Sequence, residues 1–246
     1  MASITCTINI KNKWNDAKFF LFQDLPVPDN APSGKVYTNV FQVSPKVDAA
    51  RDGSSTLSFR MPNTFYAIYG TSSGEKDDGT PGPKTVVATS SFRKIKLGPN
   101  GSVIKITAVN GGIEWDDAAV QGQKCADQSG FQFLTDKSIP GTGNPNLYIG
   151  VGAPDPKDAE NVIPIQSYKA ESSLTSKLYP KLTYYVATGD FEPGQMVDRT
   201  KVGEWVKIDF EGAKTPTAFV VLQEDGTWVD DKLKSKNNSV SIESSS

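Results

Sequence analysis

Along the chain, short runs rich in Val, Ile, Phe, Tyr and Thr recur between clusters of Gly, Pro, Asn, Asp and Ser, and helical periodicity is nearly absent. β-Branched and aromatic side chains suit a pleated surface, whereas Gly and Pro interrupt it, so such runs read as strands joined by turns. The pattern predicts strands over residues 3–10, 18–22, 36–43, 56–60, 64–69, 84–88, 92–97 and 103–110. A second series is predicted over 132–134, 147–151, 162–168, 183–187, 195–198, 205–210, 218–223 and 228–229. In Val103-Ile104-Lys105-Ile106 and in Trp205-Val206-Lys207-Ile208-Asp209-Phe210, apolar and charged side chains take opposite faces, as half-buried antiparallel strands require.

The two series run in the same order. Phe20-Leu21-Phe22 before Pro26 and Pro28 matches Tyr148-Ile149-Gly150 before Pro154 and Pro156, and Val40-Phe41-Gln42 matches Pro164-Ile165-Gln166. Further along, the run from Phe65 to Gly70 matches that from Tyr184 to Gly189, and Phe92 to Leu97 matches Trp205 to Phe210. The endings Gly112-Ile113-Glu114-Trp115-Asp116-Asp117 and Gly226-Thr227-Trp228-Val229-Asp230-Asp231 match with a slip of one residue. Ordered matches of this kind predict an all-β fold: a tandem duplicated antiparallel β-sandwich with a pseudo-two-fold relation between its halves. One copy spans 1–120 and the other 131–231, with a linker over 121–130 and a loosely ordered tail over 232–246. Each copy has the size of one sandwich. The halves either pack as separate sandwiches or exchange their first strands, and Val240-Ser241-Ile242 is placed to add an edge strand.

Composition narrows the chemistry. Lys+Arg 26 against Asp+Glu 28 gives a net charge of -2, which speaks against a nucleic-acid partner, since that footprint needs clustered positive charge. No window approaches the roughly 18 apolar residues of a membrane helix, and Met1 to Cys6 lacks the basic-then-apolar pattern of a secretory leader. No membrane association and a cytoplasmic location are expected. Cys6 and Cys125 have no metal-ligand spacing, and so cysteine-poor a chain is not a disulfide framework. Histidine is absent, which removes histidine-based triads, the common zinc sites and the usual general base near neutral pH. No cofactor is expected, because Gly150-Val151-Gly152 runs into Pro154 rather than into a helix and forms no dinucleotide fingerprint.

Several groups remain as candidates. The loop from Ser72 to Pro83 is longer than its counterpart in the second copy, and its Asp77 and Asp78 are the weak candidates for a hard cation; a solvated acidic turn is the plainer explanation. Trp115 with Asp116 and Asp117, and Trp228 with Asp230 and Asp231, combine an indole with paired carboxylates, which suits sugar stacking or acid–base work. A core Trp closing the last strand of each copy explains the same residues. Tyr66, Tyr69, Tyr184 and Tyr185 put aromatic rings on both faces of their strands, so one face needs either a second layer or a ligand. Trp14, in a polar loop, is the expected exposed aromatic.

These features predict a soluble binding protein holding a small ligand, a carbohydrate or a polar-decorated apolar metabolite, between its two halves. The alternative is a cofactor-free isomerase, cyclase or lyase working through Tyr, Asp or Glu, and the third reading is a self-associating structural protein.

Overall fold

The structure, a computed structural model, describes residues 5–23, 25–30, 36–76, 80–139, 146–198, 201–231 and 240–245. Among the described residues its named elements are strands and a 3-10 turn at Ala118–Val120. The first four strands are β1 (Thr5–Asn12), β2 (Phe19–Phe22), β3 (Val36–Val43) and β4 (Thr56–Pro62). They are followed by β5 (Tyr66–Glu75), β6 (Pro81–Lys94), β7 (Val103–Val109), β8 (Gly112–Trp115) and β9 (Phe131–Thr135). Next come β10 (Leu147–Asp155), β11 (Asp158–Lys169), β12 (Thr175–Leu178), β13 (Thr183–Thr188) and β14 (Met196–Val197). The last are β15 (Trp205–Asp209), β16 (Thr217–Leu222), β17 (Trp228–Asp230) and β18 (Ser241–Ser244).

Three sheets result. A ten-stranded sheet runs β18-β15-β13-β2-β3-β11-β10-β5-β6, with β14 pairing β3 off this path. Two four-stranded sheets run β17-β16-β1-β4 and β12-β9-β7-β8. Strands from residues 1–120 and from 131–231 share every one of them. Pairing is antiparallel except at β1–β16 and β7–β9, which are parallel. Each small sheet therefore has one parallel pair at its centre and an antiparallel strand on either side. Parallel neighbours need long connections, and pairing a strand with one from the other half supplies them.

Alternation decides what each face buries. In β1, Cys6, Ile8, Ile10 and Asn12 point inward. Cys6, Ile8 and Ile10 join one hydrophobic cluster with Phe59 and Met61 of β4, Ala218 and Val220 of β16, Ile106 of β7 and Phe131 and Phe133 of β9. The large sheet contributes Phe19, Leu21, Ile149, Val151, Tyr184, Val186, Val206 and Ile208 to the same cluster. Its opposite face carries the intervening residues: Phe20, Phe22, Val40, Tyr185 and Ala187 form a second cluster closed by Phe191, Val197, Val202 and Trp205. Burial of apolar area on both faces, worth roughly 25 cal/mol per Å², holds these layers together.

The strand pattern differs from expectation in specific places. Residues 84–88 and 92–97, read as two strands, belong largely to the single fourteen-residue β6. A register shift between Tyr69 and Gly70 accommodates the polar stretch Thr89-Ser90-Ser91 within it. Short β8 and β12 are four residues each, too few for alternation to mark them, and pairing to β7 and β9 makes them strands. The edge strand expected near Val240 exists as β18, with Ile242 opposite Ile208. No helix among the described residues is long and apolar enough to cross a membrane.

Candidate functional site

β5 and β6 stand at one end of the large sheet's order, whereas β13 and β15 lie near the other. Residues from both ends nonetheless line one open groove of about 570 Å³, so the sheet curls far enough to bring its two ends together. Asn63, Phe65 and Leu97 come from the first half, Ser129 from the connection, and Pro180, Lys181, Leu182, Thr183, Asp209 and Glu211 from the second. Phe65 is buried and Leu97 and Leu182 are half-buried. The groove thus has an apolar floor and a polar rim.

The second-half wall is fixed by short-range hydrogen bonds. Thr183 Oγ1 and the Glu211 amide both donate to Asp209 Oδ1, at 3.2 and 2.9 Å. The Leu182 amide donates to Glu211 Oε1 at 2.7 Å, and Gln23 Nε2 donates to the Lys181 carbonyl at 2.8 Å. Beneath lie Cys6 and Tyr184. Burial, with the Glu211 charge as a smaller contribution, pushes the Cys6 thiol up to about 11; burial likewise drives the Tyr184 phenol well above its usual range.

A second polar cluster sits on the opposite face of the large sheet. Tyr148 of β10 donates its phenol hydrogen to Glu75 Oε1 at the end of β5, and the Lys169 ammonium of β11 lies 3.8 Å from the same oxygen. The Glu75 side chain is only 9% exposed. Tyr37 packs its ring 6.3 Å from that of Tyr148, and burial beside Glu75 raises its phenol. Desolvation and the Glu75 hydrogen bond push Tyr148 higher still. Both phenols remain protonated donors at neutral pH. Gly74 makes the approach possible: its φ of 77° is left-handed, and a Cβ there would meet the Lys84 carbonyl oxygen at 2.8 Å.

The residues singled out from sequence are dispersed. Trp14 is 38% exposed, its backbone amide donating a hydrogen bond to Asn12 Oδ1 and its ring set beside Gly226 of the β16–β17 turn. Tyr184 and Tyr185 are buried, on opposite faces of β13. Tyr66 and Tyr69 are half-buried; Tyr66 meets Phe92 edge-on, and Tyr69 donates to the Ile113 carbonyl. Trp115 packs on Tyr69, donates Nε1–H to Ser91 Oγ, and carries the Arg93 guanidinium 5.2 Å above its ring. Asp116 pairs with Lys105 at 2.8 Å, which with the Ala119 amide holds its carboxyl below the usual range. Asp117 pairs with Arg93 at 3.5 Å.

Trp228 is buried against Phe19, and Asp231 is buried in an ion pair with Lys11 at 2.7 Å. Asp230 is half-buried at the end of β17. The two tryptophans occupy different places in their hairpins. Trp115 ends β8, far from its turn and opposite Ile106, whereas Trp228 begins β17 beside its turn, opposite Leu222. None of these candidates lines the groove. Asp77 and Asp78 lie outside the described residues, and no group of three or more His, Cys, Asp or Glu fit to hold a metal occurs among those described.

The groove residues escaped the sequence because they meet only through the curl of the sheet. Glu75 had a signal, lying in the Ser72–Pro83 stretch that exceeds its counterpart, but the adjacent Asp77 and Asp78 drew the attention.

No curated protein and no solved structure matches the chain. A family model named RhiA matches residues 3–232, a span that takes in every strand from β1 to β17. The chain belongs to the RhiA family.

Proposed function

We propose that this chain is a duplicated β-sandwich protein that binds a small ligand, a carbohydrate or a polar-decorated apolar metabolite, in the groove shared by its two halves. The observation that carries the reading is the groove itself: about 570 Å³, lined from both halves, apolar in its floor and polar at its rim. Small-molecule sites have this size and this distribution of chemistry.

The strand order supports the duplication. Exchanging β2 with β10, β3 with β11, β5 with β13 and β6 with β15 turns the order β15-β13-β2-β3-β11-β10-β5-β6 into its own reverse. Exchanging β1 with β9, β4 with β12, β7 with β16 and β8 with β17 turns one small sheet into the other, parallel pair included. Phe41 bulges from β3 where Ile165 bulges from β11. Tyr185 meets Trp205 edge-on at 5.2 Å where Tyr66 meets Phe92 at 5.3 Å. On this correspondence the first strands are exchanged between halves, and Phe20 answers to Gly150 rather than to Tyr148. The pseudo-two-fold axis passes between β3 and β11, and the groove collects equivalent ends of the two halves, as a site on that axis would.

A thermal-shift screen of the full chain against sugars and apolar metabolites, run beside Asn63→Trp, tests the reading. Asn63 is an exposed rim residue, so the added ring fills the groove without disturbing the core. A compound that raises Tm of the native chain and not of the variant supports the groove as the site. Compounds that act equally on both, or none that acts, count against it.

The enzyme reading has one observation in its favour: a nearly buried carboxylate, Glu75, ringed by the Tyr148 and Tyr37 phenols and the Lys169 ammonium. Acid–base catalysis uses such groups. A compound turned over by the native chain and not by Glu75→Gln would support this reading; turnover that survives the substitution would remove Glu75 as its acid–base group.

A further inference from the structure

We infer that the groove selects a ligand carrying a positively charged group, an ammonium or guanidinium on an apolar body; this rests on the groove being the binding site. Asp209 and Glu211 stand on one wall, two residues apart in sequence and joined by the hydrogen bond that the Glu211 amide donates to Asp209 Oδ1. The chain uses one oxygen of each, Oδ1 for Thr183 and Glu211 and Oε1 for Leu182. The other oxygen of each accepts no hydrogen bond among the described residues. Backbone and hydroxyl donors therefore orient both carboxylates and leave half their accepting capacity to a ligand.

Neither carboxylate is in an ion pair among the described residues, and Lys207, which feels the Asp209 charge, spends its own ion pair on Glu243. Lys181 is the one cation among the lining residues; it is exposed and forms no ion pair with either carboxylate. Behind its carbonyl, buried Gln23 has an Oε1 without a partner. Two carboxylates against one ammonium leave the described lining with a net negative charge. An ammonium gains charge-assisted hydrogen bonds there, which are about twice as strong as neutral ones, whereas a ligand carboxylate meets repulsion. Phe65, Leu97 and Leu182 supply the surface for the apolar body.

The acidic wall is also one-sided. By the strand correspondence, the positions of Asp209 and Glu211 are taken in the first half by Lys96 and Gly98. The pseudo-symmetric groove is thereby given a direction, and a single ligand per chain is the expected stoichiometry.

The test is calorimetric titration of the full chain with three matched probes: 4-phenylbutylammonium, 4-phenylbutanol and 4-phenylbutanoate. The ammonium should bind one per chain, about tenfold or more tighter than the alcohol, with the carboxylate weakest and the preference shrinking as salt is raised. The double variant Asp209→Asn, Glu211→Gln retains the acceptors for Thr183 and Leu182, so its fold is checked by an unchanged Tm. In it the ammonium should fall to the affinity of the alcohol, while the alcohol is unaffected. Equal binding of all three probes, or a preference that survives the double variant, overturns the charge selection and leaves the groove reading standing. Binding of no probe, or binding unaltered by Asn63→Trp, overturns the groove reading and this inference with it.

Discussion

Phe20 lies directly opposite Ala187 across the β2–β13 ladder, a full aromatic ring against a methyl group. At the proposed equivalent pair, Gly150 lies opposite Ile68 across β10–β5. Large against small has become small against large, so the same sheet is filled on its second face by two different packings. The constraint at Gly150 is severe, since a Cβ there would meet the Gln166 carbonyl oxygen at 2.0 Å.

Gly150→Ala is therefore expected to destabilise the chain by about 1–3 kcal/mol, the range for overpacking a filled interior. Phe20→Ala should cost about 3–5 kcal/mol by leaving a cavity among Phe22, Phe191 and Ala187. Urea unfolding with a shared m-value measures both. A neutral Gly150→Ala would mean that β11 can move aside, and would remove the argument for a tightly fixed bulge.

Tyr148→Phe should cost about 1–3 kcal/mol, because it deprives the Glu75 carboxylate, nearly withdrawn from solvent, of its phenol donor. Ser72 of the same arm places its buried hydroxyl beside the Tyr148 phenol. Hydrogen exchange of the β5–β6 arm reports the change locally. Faster exchange at Thr71–Glu75 with an unchanged rate in β1 is the expected outcome, and uniform acceleration would assign Tyr148 a role in global stability instead.

Acid lability has a specific source. The Ser138 hydroxyl, with its amide, Thr107 and Lys105, lowers the Asp136 carboxyl to about 2, against about 3.9 in an unfolded chain. A depressed folded-state value contributes stability that is complete above the unfolded pKa and is lost as pH falls towards the folded one. The loss attributable to Asp136 should fall between about pH 4 and 2. Asp136→Asn should flatten that limb of an acid titration followed by tryptophan fluorescence and leave pH 6 to 8 unchanged; an unaltered acid limb would count against it.

Both cysteines are buried and unpaired. With its thiol pushed up to about 11, Cys6 carries almost no thiolate near neutrality, and the thiolate is the reactive form. Ellman's reagent at pH 8 should detect no thiol in the folded chain and two after denaturation. Prompt reaction of a single thiol in the folded state that is lost in Cys6→Ser would show that β1 opens locally.

Much of the strand content was legible because period-two alternation depends only on neighbouring residues. β7 and β15 announce themselves through Val103-Ile104-Lys105-Ile106 and Trp205-Val206-Lys207-Ile208. Four-residue β8 and β12 did not, since so short a run shows little alternation and becomes a strand through its partner. The candidate site was far less legible. Trp115 and Trp228 drew notice as repeated residues, yet both serve packing, Trp115 against Tyr69 and Trp228 against Phe19. Phe65, Leu97 and Asp209 look like ordinary strand-end residues, and nothing local distinguishes them.

By itself the sequence determined the all-β class, the places of most strands and the lack of histidine chemistry. These follow from side-chain type and short-range periodicity, which survive being read one residue at a time. The tertiary structure decided which strands meet: that β1 runs beside β16 and β7 beside β9, that β3 and β11 adjoin at the middle of the large sheet, and that the sheet curls until Phe65 and Leu182 face one groove. Those choices depend on burying faces contributed by strands up to about two hundred residues apart, a requirement that no local pattern encodes.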